Sequence, residues 1–305
     1  MVNKALLSLG VMVFVLVNIP TTSNAQTDPK IRKTKTKFPS TTPQKSKDTV
    51  WFSKSYLIDW GVAASLASAG GLFYILFEPP KREWSPNDLS IQYPHKPDTV
   101  SEAAITLLAS GIPLAIFGLS QIWLRSGHDF HHAALGLTET FAMTLFLTTL
   151  IKGFAGRLRP DWISRCQPDA QQKCTGDPTK LTKGRKSFPS GHTSFGFAGA
   201  TFLSLYLYGK LRPFETGGHF WKFGMILAPM AAASILAVTR YTDNRHHWED
   251  ILVGSLIGIG SAYVGYYLNF RPRKSGAHQP VNRLQVQAAP ILSAHSIGMA
   301  VHGTF

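Results

Sequence analysis

The sequence predicts an all-α protein, a polytopic bundle of about six transmembrane helices. Three observations carry that expectation. Six blocks, 57–77, 103–124, 133–151, 190–208, 223–238 and 251–268, are apolar over close to the length a helix needs to cross a hydrocarbon core. Block 103–124 holds no charged residue at all, whereas a soluble helix keeps one wet face. In the last block Gly254 and Gly258 form a small-xxx-small pair, which lets helices in a membrane approach closely. Asp59, Glu139, Pro113 and Pro229 inside blocks run against the pattern without breaking it. The competing reading is a soluble helical domain with a strongly apolar core.

Taken in order, residues 1–25 carry Lys4, an apolar run 5–19 and the small-x-small triplet Ser23-Asn24-Ala25. That is the layout of a signal peptide, or of an uncleaved N-terminal anchor. Residues 26–56 are rich in Thr, Ser, Pro and Lys, and read as a disordered basic linker. The helical domain follows over 57–270. Residues 271–305 are a polar tail, in which Val286 and Met299–Val301 sit in short alternations that suit either a β-hairpin or loose chain.

Charge narrows the partners. Lys and Arg number 31 against 17 acids, a balance of +14 that favours an anionic partner. Nucleic acid is the weakest candidate, because the apolar blocks leave no room for a separate binding module and no such motif appears. A phospholipid surface or a phosphorylated substrate fits better. Outside the loops after blocks three and five, basic residues concentrate in 26–51, 210–222 and 271–283. The positive-inside rule makes that side cytoplasmic. A cleaved signal peptide argues the reverse, so either the N-terminal stretch is not a conventional signal or one block fails to span. Block 57–77, with Asp59 and its Ala, Ser and Gly content, is the expected exception. The two cysteines, Cys166 and Cys174, lie close together in one loop and would form a disulfide in an oxidising compartment. Such a bridge is worth roughly 2–3 kcal/mol. The loop offers too few further ligands for zinc.

Three clusters carry chemistry: Lys152-x6-Arg159-Pro160, Pro189-Ser190-Gly191-His192, and Arg240-x5-His246-x3-Asp250. Lys152, Arg159 and Arg240 supply three cations, and arginine forks match phosphate oxygens. Ser190 can cap a helix whose N-terminal N–H groups, with Gly191 allowing close approach, face an anion. On a helix, Asp250 would share a face with His246 and could fix its tautomer, freeing a ring nitrogen to attack phosphorus. Alternating spans would bring the three clusters to one membrane face.

Order and spacing of these clusters resemble the type 2 phosphatidic acid phosphatase/vanadium haloperoxidase superfamily. The likeness spans about 152–250, and departs from the family at Thr239, where a serine usually precedes the arginine. It implies that His246 is a nucleophile that becomes a phosphohistidine. It also implies that His192 protonates the leaving oxygen and then activates water, and that Lys152, Arg159, Ser190, Gly191 and Arg240 bind phosphate. No metal or other cofactor is implied, though vanadate could inhibit. Arg157, His131, His132 and His247 have no motif position. The expected function is a metal-independent phosphatase of a lipid phosphate or diphosphate, such as phosphatidate, phosphatidylglycerol phosphate, an isoprenyl diphosphate or lipid A. Its expected location is a bacterial-type inner membrane, with the site facing the periplasm. Alternatives are a soluble periplasmic acid phosphatase, a vanadate-dependent haloperoxidase, a lipid phosphotransferase or a non-catalytic protein binding anionic lipid.

Overall fold

The computed structural model describes residues 54–214, 219–272, 278–280, 285–293 and 296–304. The predicted signal at 1–25 and the linker up to residue 53 lie outside them. The described chain runs α1 (Lys54–Leu76), a 3-10 turn (Leu89–Ile91), α2 (Glu102–Leu124), α3 (Gly127–Ala155), α4 (Trp162–Cys166), α5 (Pro178–Gly184), α6 (Gly191–Leu211), α7 (Phe220–Thr242) and α8 (Trp248–Asn269). Four short strands follow: β1 (Phe270–Pro272), β2 (His278–Pro280), β3 (Gln285–Ser293) and β4 (Ser296–Thr304). They pair antiparallel as β1–β2 and β3–β4, so the tail alternations do form a hairpin, with Val286 opposite Gly303.

Each apolar block is a helix, and most run past the predicted ends because polar caps sit outside the apolar stretch. Ser101 and Ser126 accept the backbone N–H of Ala104 and Asp129 and start α2 and α3. Gly156, at φ 56°, closes α3 by returning its N–H to the Lys152 carbonyl.

The bundle is built around α6, which packs against α2, α3, α7 and α8, while α1 lies along α3. Among the described residues five helices are long and apolar enough to cross a membrane: α1, α2, α3, α7 and α8. The block expected to fail, 57–77, is one of the five. α1 runs beside α3 from Tyr56, which touches His128 and His132 in the first turns of α3, to Tyr74 beside the cavity at its far end. The helix that falls short in apolarity is α6. Its Ser, Thr and Gly residues face neighbouring helices, so it has no need of an oily surface. Close approach makes this work. A methyl group added at Gly258 would come within 2.2 Å of the Ser194 carbonyl oxygen, and one at Gly254 within 2.6 Å of that of Ser190. The core of the bundle is Phe117, Leu137, Phe202, Tyr206, Tyr266 and Phe270 with their neighbours. Leu107, Ile122, Leu227, Ile235, Leu252 and Leu256 stay exposed on the outer helices. In water that belt would be a liability, and in a bilayer it is the expected surface.

Candidate active site

One end of the bundle gathers the C-termini of α1, α3 and α7 with the N-termini of α2, α6 and α8. A cavity of about 450 Å³ opens there. Five of the predicted residues line it: Lys152, Arg159, Gly191, His192 and His246. The alternation of spans therefore brings parts of all three clusters together.

Lys152 sits in the last turn of α3 and is nearly buried. Its ammonium donates to the Lys186 carbonyl at 2.9 Å and, closely, to that of Pro189. Arg159, in the loop after α3, donates no side-chain hydrogen bond to any described residue, and its Nε is buried without a partner. Burial first, and then the neighbouring Arg165, pull its pKa down to about 10, so it stays charged at neutral pH. His192 Nε2 and Thr148 Oγ1 are likewise buried without partners against the same cavity. Buried polar atoms left this way are costly unless a ligand completes them.

Ser190 is placed differently from the other motif residues. It is fully buried and caps α6, its Oγ 2.9 Å from Thr193 Oγ1, and it does not line the cavity. Its contribution is to fix the helix start, from which Gly191 faces the opening. Arg240 is also fully buried behind the wall, its Nη2 donating to Asp243 at 2.8 Å and its Nη1 to Asp98 at 3.1 Å.

The relation of His246 to Asp250 differs from the shared helix face that their spacing suggests. His247 is the N-cap of α8, so His246 stands outside the helix and Asp250 occupies its first turn. His246 Nδ1 lies 2.8 Å from the Ser187 carbonyl and 3.7 Å from Asp250 Oδ2. A carbonyl only accepts, so Nδ1 carries the proton and Nε2 holds a lone pair. Burial, reinforced by Arg159 and Lys152 and opposed by Asp250, draws the His246 pKa down to about 3. The imidazole is neutral at physiological pH.

Asp250 itself is held on three sides. It accepts from Ser187 Oγ at 2.6 Å, from Arg157 Nη1 at 2.9 Å and from the His247 N–H at 3.0 Å. Arg157 and His247, which have no motif position, thus anchor the carboxylate. Ser187 joins both members of the pair, and nothing in its sequence neighbourhood marks it. Residues 93–99 were also missed. This strap lies across the loop that carries Arg159, the last turn of α7 with Arg240, and the loop that carries His246, with His95 Nδ1 2.7 Å from Asp161 and Arg245 Nη2 2.6 Å from the Lys96 carbonyl.

Gly71 and Tyr74 of α1, Ile105 of α2, Leu145 of α3 and Phe195 of α6 form a second, largely apolar side of the cavity. Cys166 and Cys174 are joined by a disulfide, and Cys166 packs with Ile91, Leu158 and Trp162 beneath the loop. Among the described residues no group of three or more His, Cys, Asp or Glu side chains is placed to hold a metal ion.

Comparison with known proteins finds the profile of the PAP2 superfamily over residues 133–274. A PA-phosphatase related-family protein of Dictyostelium discoideum is 38% identical over 230 residues, 73% of this chain and 82% of the relative. Lipid phosphate phosphatase 2 of Arabidopsis thaliana is 38% identical over 191 residues, 60% of this chain and 66% of the relative. Probable diacylglycerol pyrophosphate phosphatase 1 of Schizosaccharomyces pombe is 32% identical over 243 residues, 75% of this chain and 86% of the relative. No solved structure matches.

Proposed function

The chain belongs to the PAP2 superfamily, and from that premise we propose that it hydrolyses a lipid phosphate or diphosphate through a phosphohistidine on His246, without a metal ion. It is a phosphatase and a multi-pass membrane protein. The soluble acid phosphatase alternative gives way to the exposed apolar belt.

The observation that carries the mechanism is the aim of His246. Its Nδ1–H is taken by the Ser187 carbonyl, so the lone pair of Nε2 is available in a cavity where Arg159 Nε and His192 Nε2 have no partner among the described residues. Lys152 and Arg159 meet the phosphate oxygens from the cavity wall, and Arg240 adds its charge from behind. Nε2 attacks phosphorus as the bond to the lipid oxygen breaks. The departing electron pair takes a proton from His192, which gains that proton together with the anionic substrate. In the second half neutral His192 takes a proton from water as its oxygen attacks phosphorus. The P–N bond breaks and its pair returns to Nε2. Asp250, tied to Ser187, Arg157 and His247, faces the positive charge that the His246 ring carries while phosphorylated.

The apolar wall from α1, α2, α3 and α6 supports a lipid substrate, since it offers a chain a dry path beside the cations. The site is on the non-cytoplasmic side of its membrane, which in a bacterial inner membrane is the periplasm. Lys210, Arg212, Lys222 and Arg271 flank the other end, and the Cys166–Cys174 bridge suits an oxidising compartment. With α1 spanning, this orientation puts residue 54 on the cytoplasmic side. The test is phosphate release by purified protein from phosphatidate, phosphatidylglycerol phosphate, an isoprenyl diphosphate, lipid A and a soluble ester. Release from the lipids should survive EDTA. Activity lost on chelation and restored by magnesium would contradict the mechanism.

A further inference from the structure

Among the described residues that line the cavity, Asp98 is the one carboxylate. A negative charge beside a site for phosphate weakens binding by Coulomb repulsion, so its presence calls for an explanation. Its contacts supply one. A single oxygen, Oδ1, accepts from Arg240 Nη1 at 3.1 Å and from Arg245 Nε at 3.0 Å. Two guanidinium ions that repel each other are thereby brought to one point. Arg240 has Asp243 on its other Nη and Thr239 Oγ1 on its Nε at 3.2 Å, so Asp98 closes the remaining side of the fork. The strap does not need Asp98 for attachment. Thr99 donates twice to Asp243, Arg245 holds the Lys96 carbonyl, and Lys96 Nζ reaches the Thr242 carbonyl at 2.9 Å.

We infer that Asp98 is a positioning residue for phosphoryl transfer: it fixes Arg240, and with Arg245 the loop leading to His246, in the geometry that the transition state requires. The inference rests on the phosphatase reading above. Arg240 is fully enclosed while the Asp98 side chain is 40% exposed, so the carboxylate is the link through which the cavity feels the enclosed arginine. Preorganised charge acts where negative charge is redistributed in the transition state, and small misplacement of such groups costs large factors in rate.

The test uses full-length protein in detergent, with kcat and KM on a lipid phosphate and inhibition by vanadate and by inorganic phosphate. Vanadate adopts the five-coordinate geometry of phosphorus in flight, whereas phosphate mimics the ground state. Asp98→Asn should lower kcat by roughly 10- to 100-fold with KM within about threefold. It should weaken vanadate in proportion while leaving phosphate nearly unchanged. Asp98→Glu, which returns the carboxylate one methylene out, should recover part of the loss. Lys96→Met cuts a neighbouring strap contact and should lower the melting temperature with kcat within about twofold. If Asp98→Asn lowers melting alone, with kcat per folded molecule intact, the role is only structural and the inference fails. It fails too if vanadate and phosphate both bind more tightly, because Asp98 would then be a competitor of phosphate. A wild type that hydrolyses none of the lipids would overturn the phosphatase reading instead. The vanadate-induced shift in melting, which needs no turnover, still tests Asp98 by itself.

Discussion

Histidines gather around both ends of α3, three of its own at the start and His192 and His246 of other elements at the far end, and they differ in what they face. At the start of the helix, His128, His131 and His132 cluster with Tyr56 and Trp60. His128 and His132 Nε2 are 3.2 Å apart, Tyr56 OH is 3.0 Å from each, and His132 Nδ1 meets Asn269 Oδ1 at 3.0 Å. The carboxylate of Asp129 there is matched by Lys210 and Tyr206. At the other end the cations outnumber the carboxylates around an opening, and Arg159 Nε, His192 Nε2 and Thr148 Oγ1 lack partners among the described residues. Side chains that satisfy one another, as His128, His132, Tyr56 and Asn269 do, build the bundle. A cluster that leaves donors over awaits a ligand, and density of histidine does not distinguish the two.

The largest expected effect sharpens this contrast. His246→Ala should lower turnover by about 10⁴-fold or more, toward the uncatalysed background. His132→Ala, which leaves Asn269 and Tyr56 short of a partner, should cost about 1–3 kcal/mol of stability with turnover per folded molecule unchanged. Thermal melts beside kinetics check both, and a comparable loss of turnover in His132→Ala would break the comparison. His192→Ala comes next. Hydrolysis of a lipid phosphate, whose alkoxide leaves poorly without a proton, should fall by about 10²–10⁴-fold. The first, phosphorylating step on an aryl phosphate should suffer far less, as pre-steady-state release of the phenolate will show.

Ser187→Ala is a milder probe. It deletes the hydroxyl that holds Asp250 and keeps the carbonyl that holds His246, so kcat should drop by roughly tenfold or less. A loss as deep as that of His246→Ala would mean that Asp250, and not the Ser187 carbonyl, sets the tautomer.

A further effect is one of pH on stability. The folded pKa of His246 is about 3 against an ordinary value of 6.5, so the unfolded chain binds the proton more readily. The contribution is fully present above pH 6.5 and is lost as pH falls toward about 3. Melting temperatures of wild type and His246→Gln should therefore converge on acidification through that window, and parallel curves would contradict the neutral, enclosed imidazole.

Much of this was legible in the sequence, for reasons that also mark where legibility ends. Apolar blocks report helices because oil must cover a membrane span, yet α6 is surrounded by protein and is set apart only by its Ser, Thr and Gly content. The motif cations and histidines could be named because phosphate chemistry constrains residue type and spacing. Ser187 acts partly through a backbone carbonyl, which no side-chain pattern encodes. Asp98 and His95 reach the site across 142 and 66 positions of chain, to Arg240 and Asp161, so only the fold brings them there. The four-residue spacing does bring His246 within 3.7 Å of Asp250, but the helix begins between them, at His247, and the Ser187 carbonyl, which no spacing reveals, takes the Nδ1 proton.

His246 is the group that takes the phosphoryl in the proposed mechanism. Rapid quench of His192→Ala with a ³²P-labelled aryl phosphate tests this most directly. Breakdown of the intermediate needs His192 to activate water, so an acid-labile, base-stable phosphoprotein should accumulate, with its label on the peptide that carries His246. In the double variant His192→Ala/His246→Ala the label should vanish. Label that persists in the double variant would contradict the central claim.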